Sequence, residues 1–186
     1  MLYITGLVYI LTDAMMELNR VFSKPTLEQL EASVVAYERI ASASGVLSEA
    51  YGIQLLVTVA GNFILVTSNA FLIVSETIAY RRIWFAMQCI LPAMTTFRLV
   101  HACVCLVNQS EEFNSLLRNT LVDGMNSNLS HSARIRLHLS MKKEIEFTTR
   151  GFFTMDYSLL TAMLGAVATY LVIIVQFGEG RTEESN

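Results

Sequence analysis

The sequence predicts an all-α membrane protein with three transmembrane helices and long helical extensions on the cytoplasmic side. Three observations predict it. Of 186 residues, 53% are hydrophobic and only 16% charged, with a mean hydropathy of +0.47, whereas soluble domains carry about a quarter charged residues. Two long runs, 51–74 and 157–177, contain no charged side chain, and each is long enough to cross a hydrocarbon core, which takes about 20 apolar residues. The Lys and Arg residues, finally, cluster beside particular ends of these runs.

The first span is 51–74. The second, 83–107, is less uniform, with Pro92, Arg98 and His101 inside it. The third is 157–177. Before them, 1–50 reads as a cytoplasmic helical segment that opens with the end of a truncated helix, because the apolar run from Leu2 to Leu11 is too short to span. Residues 75–82 form an extracellular loop, 108–156 a cytoplasmic helical segment and loop, and 178–186 an extracellular tail. Orientation follows from charge: Arg20, Lys24 and Arg39 precede the first span, and Arg118, Arg134, Arg136, Lys142, Lys143 and Arg150 follow the second. The positive-inside rule puts both segments in the cytoplasm and the C-terminus outside. The sequons at Asn108 and Asn128 then lie on the side where glycosylation does not occur.

The cytoplasmic segments carry helical patterns of their own. Thr26-Leu27-Glu28-Gln29 fits a capping box, and Leu27, Leu30, Val34, Tyr37 and Ala41 mark one apolar face. Ser42, Ser44 and Gly45 are possible interruptions before the first span. Phe113, Leu116, Leu117 and Leu121 prolong the second helix until Asp123-Gly124 signals a turn, and Ile135, Leu139 and Ile145 suggest a further helix ending near Gly151. Apolar faces outside the bilayer require cover, and neighbouring subunits are the expected partner, with Leu30 and Val34 at the contact.

In the third span Ser158, Thr161, Gly165, Ala168, Val172 and Gln176 advance by three or four residues and make one small, weakly polar stripe. Close helix packing and a pore lining both use such a stripe. Thr169 and Tyr170 can equally serve local hydrogen bonding and packing. Asp156, just before the uncharged run, reads as interfacial. Around Arg98, His101, Cys103 and Cys105 a metal site is disfavoured, since helical residues two apart point away from each other. No metal, cofactor, phosphate-loop, dinucleotide or nucleophile-elbow motif occurs, so an enzyme is not expected. The net charge of −3 and the three unpatterned cysteines exclude general nucleic-acid binding and a disulfide framework.

The end of the third span reads Thr169-Tyr170, five aliphatic residues, then Gln176-Phe177. This resembles the C-terminal signature of insect gustatory receptors, most strongly over 150–177. The resemblance implies that the chain corresponds to the C-terminal part of a seven-helix tetrameric channel in the plasma membrane. It implies a ligand-gated, non-selective channel for monovalent and divalent cations, opened by a small-molecule tastant and built as a homo- or hetero-tetramer of related subunits. Gln176 and Phe177 then match an outer gate, with Thr169, Val172 and Ile173 along the pore, and the cytoplasmic helices form an anchor between subunits. The ligand area lies in the outer half of the bundle, where Asn69, Trp84 and Gln88 offer an indole face and amides. Interfacial anchoring and interhelical bonding account for the same residues. A small, non-conducting helical adaptor is the reading of a different class.

Overall fold

The computed structural model describes residues 2–20, 27–123, 145–149 and 151–183. They form four helices: α1 (Leu2–Arg20), α2 (Leu27–Ser75), α3 (Ala79–Asp123) and α4 (Tyr157–Glu183). The chain divides into two compact units. One, the span unit, contains Ile53–His101 and Asp156–Asn186; the other, the α1 unit, contains Leu2–Gly52 and Ala102–Met155.

α2 is continuous over 49 residues, or about 73 Å at 1.5 Å per residue. Ser42, Ser44 and Gly45 do not break it. Ser44 Oγ donates to the Ala41 carbonyl at 2.9 Å and Ser33 Oγ to that of Gln29 at 2.8 Å, so these hydroxyls are satisfied inside the helix rather than diverting its backbone. Thr26 of the expected capping box lies outside the described residues. Only 76–78 separate α2 from α3, a connection tighter than the expected 75–82 loop, with Arg81 Nη1 3.4 Å from Glu76 Oε2 across it. α3 runs on through Pro92 to Asp123, and Gly124 of the expected turn lies outside the described residues.

The α1 unit has a core of the kind water-soluble proteins build. Ile4, Val8 and Met15 of α1, Leu30, Val34, Tyr37 and Ala41 of α2, and Phe113 and Leu117 of α3 are buried. Tyr37 stacks on Phe113 with ring centroids 4.7 Å apart. Its hydroxyl lies 2.8 Å from Ser110 Oγ and receives the Asn114 amide at 3.3 Å. This corrects the expectation that Leu30 and Val34 meet a neighbouring subunit: both are fully buried, and the cover comes from within the chain's own unit.

The helix expected to run through Ile145 to near Gly151 is also corrected. Ile135 and Leu139 lie outside the described residues, but 145–149 are not helical, and Thr148 pairs with Thr154 in an antiparallel bridge. Met155 N donates to the Phe147 carbonyl at 2.9 Å and Thr149 N to that of Phe153 at 3.0 Å. Phe147, Thr148, Thr149, Phe152 and Phe153 favour extended backbone, and Gly151 turns the chain at φ 79°, a conformation open to glycine without penalty. Ser48 Oγ of α2 donates to the Thr148 carbonyl at 2.8 Å. At Ile145 the helical spacing was thus overridden locally by β-branched and aromatic residues.

The span unit is different in kind. It leaves Ile64, Leu65, Ile83, Met87, Leu91 and Leu164 exposed, each by more than half its surface. α2 and α3 both contain stretches long and apolar enough to cross a membrane, and Tyr157–Ile173 of α4 is a shorter apolar segment.

Candidate functional site

α4 begins with a strong start signal. Asp156 Oδ1 accepts hydrogen bonds from Leu159 N at 3.1 Å and Ser158 Oγ at 2.6 Å, the arrangement of an N-cap, which satisfies an amide the helix leaves open. Next to it, Tyr157 Oη is 2.7 Å from His101 Nδ1 of α3, and Phe97 stacks over the imidazole. His101 therefore holds α3 to the first turn of α4. Arg98 is exposed, Cys103 buried and Cys105 half-buried. No group of three His, Cys, Asp or Glu side chains able to hold a metal occurs among the described residues.

The two faces of α4 are unlike. Leu160, Met163, Val167 and Leu171 are partly covered and share one side. Ser158, Thr161, Gly165, Ala168, Val172 and Gln176 are all exposed. At 100° per residue the centre of this stripe lies roughly 140° around the helix from the covered side. The stripe therefore does not pack within its own unit. Thr169 is exposed and donates to the Gly165 carbonyl at 2.9 Å; Tyr170, Val172 and Ile173 are 51%, 56% and 44% exposed. α4 continues past Gln176 to Glu183, whereas the side chain of Phe177 lies outside the described residues.

Of the expected ligand residues, two meet. Trp84 and Gln88, one turn apart on α3, line an open groove of about 480 Å³ with Asn62 and Leu65 of α2 and Thr95 of α3. Asn69 is not part of it: this side chain is buried, and among the described residues its Nδ2 has no hydrogen-bond partner. Thr67 is buried too and donates to the Phe63 carbonyl, while Ser68 is exposed.

Sequence reasoning missed Asn62 and the groups around Pro92. Pro92 has no N–H, so the Gln88 carbonyl one turn earlier loses its intrahelical donor. The Pro92 carbonyl in turn accepts the hydroxyls of Thr95 at 3.0 Å and Thr96 at 2.9 Å, and Asn62 Nδ2 reaches Thr96 Oγ1 at 2.8 Å. An amide inside an uncharged span, with two threonines following a proline at three and four residues, was the available signal, because polar groups in such segments need partners.

Comparison with known proteins agrees with this architecture. The family profile described as 7tm chemosensory receptor matches residues 1–180. The chain is 23% identical over 197 residues to putative gustatory receptor 2a of Drosophila melanogaster, covering 89% of this chain and 45% of that protein. It is 31% identical over 104 residues to gustatory receptor 68a of the same fly, covering 56% and 25% of the two, and 23% identical over 172 residues to putative gustatory receptor 28b, covering 84% and 36%. The chain thus spans less than half the length of these curated relatives. An all-helical fold with lipid-type surfaces on α2 and α3, and a family match from the first residue to the end of the apolar part of α4, lead to one assignment: the chain is a membrane protein of the 7tm chemosensory receptor family, among the insect gustatory receptors.

Proposed function

We propose that this chemoreceptor chain lines the pore of a ligand-gated, non-selective cation channel that detects small molecules. It works in the plasma membrane as a homo- or hetero-tetramer, with 51–74, 83–107 and 157–177 as its spans and the C-terminus outside. The observation that carries this reading is the face of α4 that its own unit leaves bare: six small or weakly polar residues from Ser158 to Gln176, all exposed, opposite a covered apolar side. In a ring of four copies such a face suits the axis, where small side chains leave room for ions and oxygen atoms replace part of their hydration. Gln176 and Phe177 form the outer gate at its end, with Thr169, Val172 and Ile173 nearby. The tastant binds at the Trp84 and Gln88 groove, whose indole, amide and open backbone carbonyl suit a neutral polar organic molecule.

Whole-cell recording with surface expression matched tests this. Phe177→Ala raises basal, ligand-independent cation current, and Gln176→Ala changes permeability ratios among monovalent and divalent cations. Wild-type basal current and permeability in both variants would reject the gate and leave the stripe as a packing face between helices.

A further inference from the structure

A second cavity adjoins the Trp84 and Gln88 groove at Asn62 and Pro92 and is bordered by α2, α3 and α4 within the span unit. Its volume is about 330 Å³, within the lower range of small-molecule sites, about 300–1,000 Å³. Its walls differ in kind from those of the groove. Phe63, Val66, Ala93, Leu160, Met163 and Val167 supply most of them, and no ionisable side chain contributes. A charged ligand or a sugar would lose its hydration there without replacement. Met94, Phe97 and Leu164 line it as well and are themselves largely exposed, so the way in is apolar and suits a molecule already dissolved in lipid.

Only two lining side chains, Asn62 and Thr96, are polar, and their hydrogen atoms can be accounted for. The Thr96 hydroxyl donates to the Pro92 carbonyl at 2.9 Å and accepts one N–H of Asn62 at 2.8 Å. Asn62 Nδ2 also points to the Pro92 carbonyl at 3.4 Å. Asn62 Oδ1 receives no hydrogen bond from the described residues. The one polar function available to an occupant is thus an acceptor, and it calls for a donor.

We propose that this cavity binds a neutral, mainly hydrocarbon molecule carrying a single hydroxyl group, of about ten heavy atoms if each takes about the 30 Å³ of a water molecule. The hydroxyl donates to Asn62 Oδ1, and the hydrocarbon part fills the space beside Met163 and Val167. A ketone of the same length fits the walls but brings only an acceptor, and an alkane brings neither. Since the cavity touches the covered face of α4, opposite the exposed stripe, its occupancy bears on the position of that helix. The cavity shares Asn62 and Pro92 with the Trp84 and Gln88 groove but not the indole or the Gln88 amide, and its occupancy does not depend on whether the protein conducts.

The test uses the purified chain in phosphatidylcholine nanodiscs, with a diazirine-bearing decanol as photoreactive probe and peptide mapping by mass spectrometry. Label is expected on 93–97 and 160–167. On the unmutated protein, 1-decanol is expected to displace it about three to ten times more effectively than 2-decanone or decane, the range that one added hydrogen bond gives. Val167→Trp, which fills the cavity, lowers labelling about tenfold, and Asn62→Leu makes the three competitors equal. Label concentrated on 84–88, equal displacement by decane, or loss of label on changing the acyl chains of the lipid with no effect of decanol would each overturn the proposal, the last in favour of a lipid tail. The competition on unmutated protein decides even where a variant fails to fold.

Discussion

The two units of this chain share α2 and α3 yet solve the problem of apolar surface in opposite ways. In the α1 unit Tyr37, Phe113, Leu30 and Leu117 are fully buried, and polar groups such as Ser110 and Asn114 join the same packing. In the span unit Ile64, Leu65 and Phe71 of α2 are exposed. Trp84, Met87, Leu91 and Leu164 face outward. Soluble monomers seldom expose so continuous an apolar surface, so the span unit needs lipid or other helices as solvent. One helix therefore passes from a region whose stability resides in its own core to one whose stability depends on its surroundings.

The largest effect that tests this contrast is expected in the α1 core. Phe113→Ala removes a fully buried ring stacked on Tyr37 and costs about 3–5 kcal/mol, measured as the loss of folded protein in thermal unfolding in detergent micelles. If Phe113→Ala and the exposed Leu91→Ala shifted the midpoint equally, the distinction between the units would fail. A smaller effect belongs to the cap of α4: Asp156→Ala is expected to cost about 1 kcal/mol, seen as faster amide exchange over 157–160. Ser48→Ala disconnects the 145–155 hairpin from α2 and is expected to cost about 0.5–1.5 kcal/mol, with earlier proteolysis near Gly151 as the readout. The smallest belongs to the span unit, where Asn62→Leu is expected to cost about 0.6 kcal/mol, the typical worth of a hydrogen bond between membrane helices. A loss several times larger there would mean that the polar contact, rather than lipid, holds those helices together.

The sequence was most legible where one residue type repeats. Leu30, Val34, Tyr37 and Ala41 announced a buried helix face at their spacing, and the same four residues are buried. The uncharged runs at 51–74 and 157–177 both lie in helices. Legibility failed where the decisive partner is distant in sequence. Nothing local says that the face of Leu30 and Val34 is covered within the same chain, nor that Asn62 meets Thr96, 34 residues away. It failed again at 145–155, where a helix expected to run through Ile145 to near Gly151 gave way to a β-branched and aromatic stretch containing a glycine. The candidate groove was half legible. Trp84 and Gln88 line it because they lie four residues apart on one helix, whereas Asn69, chosen for its chemistry and its depth in the span, points into protein. Chemistry named the right types of residue, and only the packing decided which of them meet.

Three hydroxyl groups along α4, those of Ser158, Thr161 and Thr169, give away their protons inside the chain. Ser158 donates to Asp156, Thr161 to the Tyr157 carbonyl at 3.1 Å and Thr169 to the Gly165 carbonyl at 2.9 Å. What these exposed side chains turn outward is therefore oxygen lone pairs with no matching hydrogen. A partner helix laid against these three oxygens must bring its own donors, whereas the Gln176 amide offers both donor and acceptor. The polarity that these three hydroxyls turn outward is thus decided by the direction of three short internal hydrogen bonds, without a single acidic side chain on the stripe.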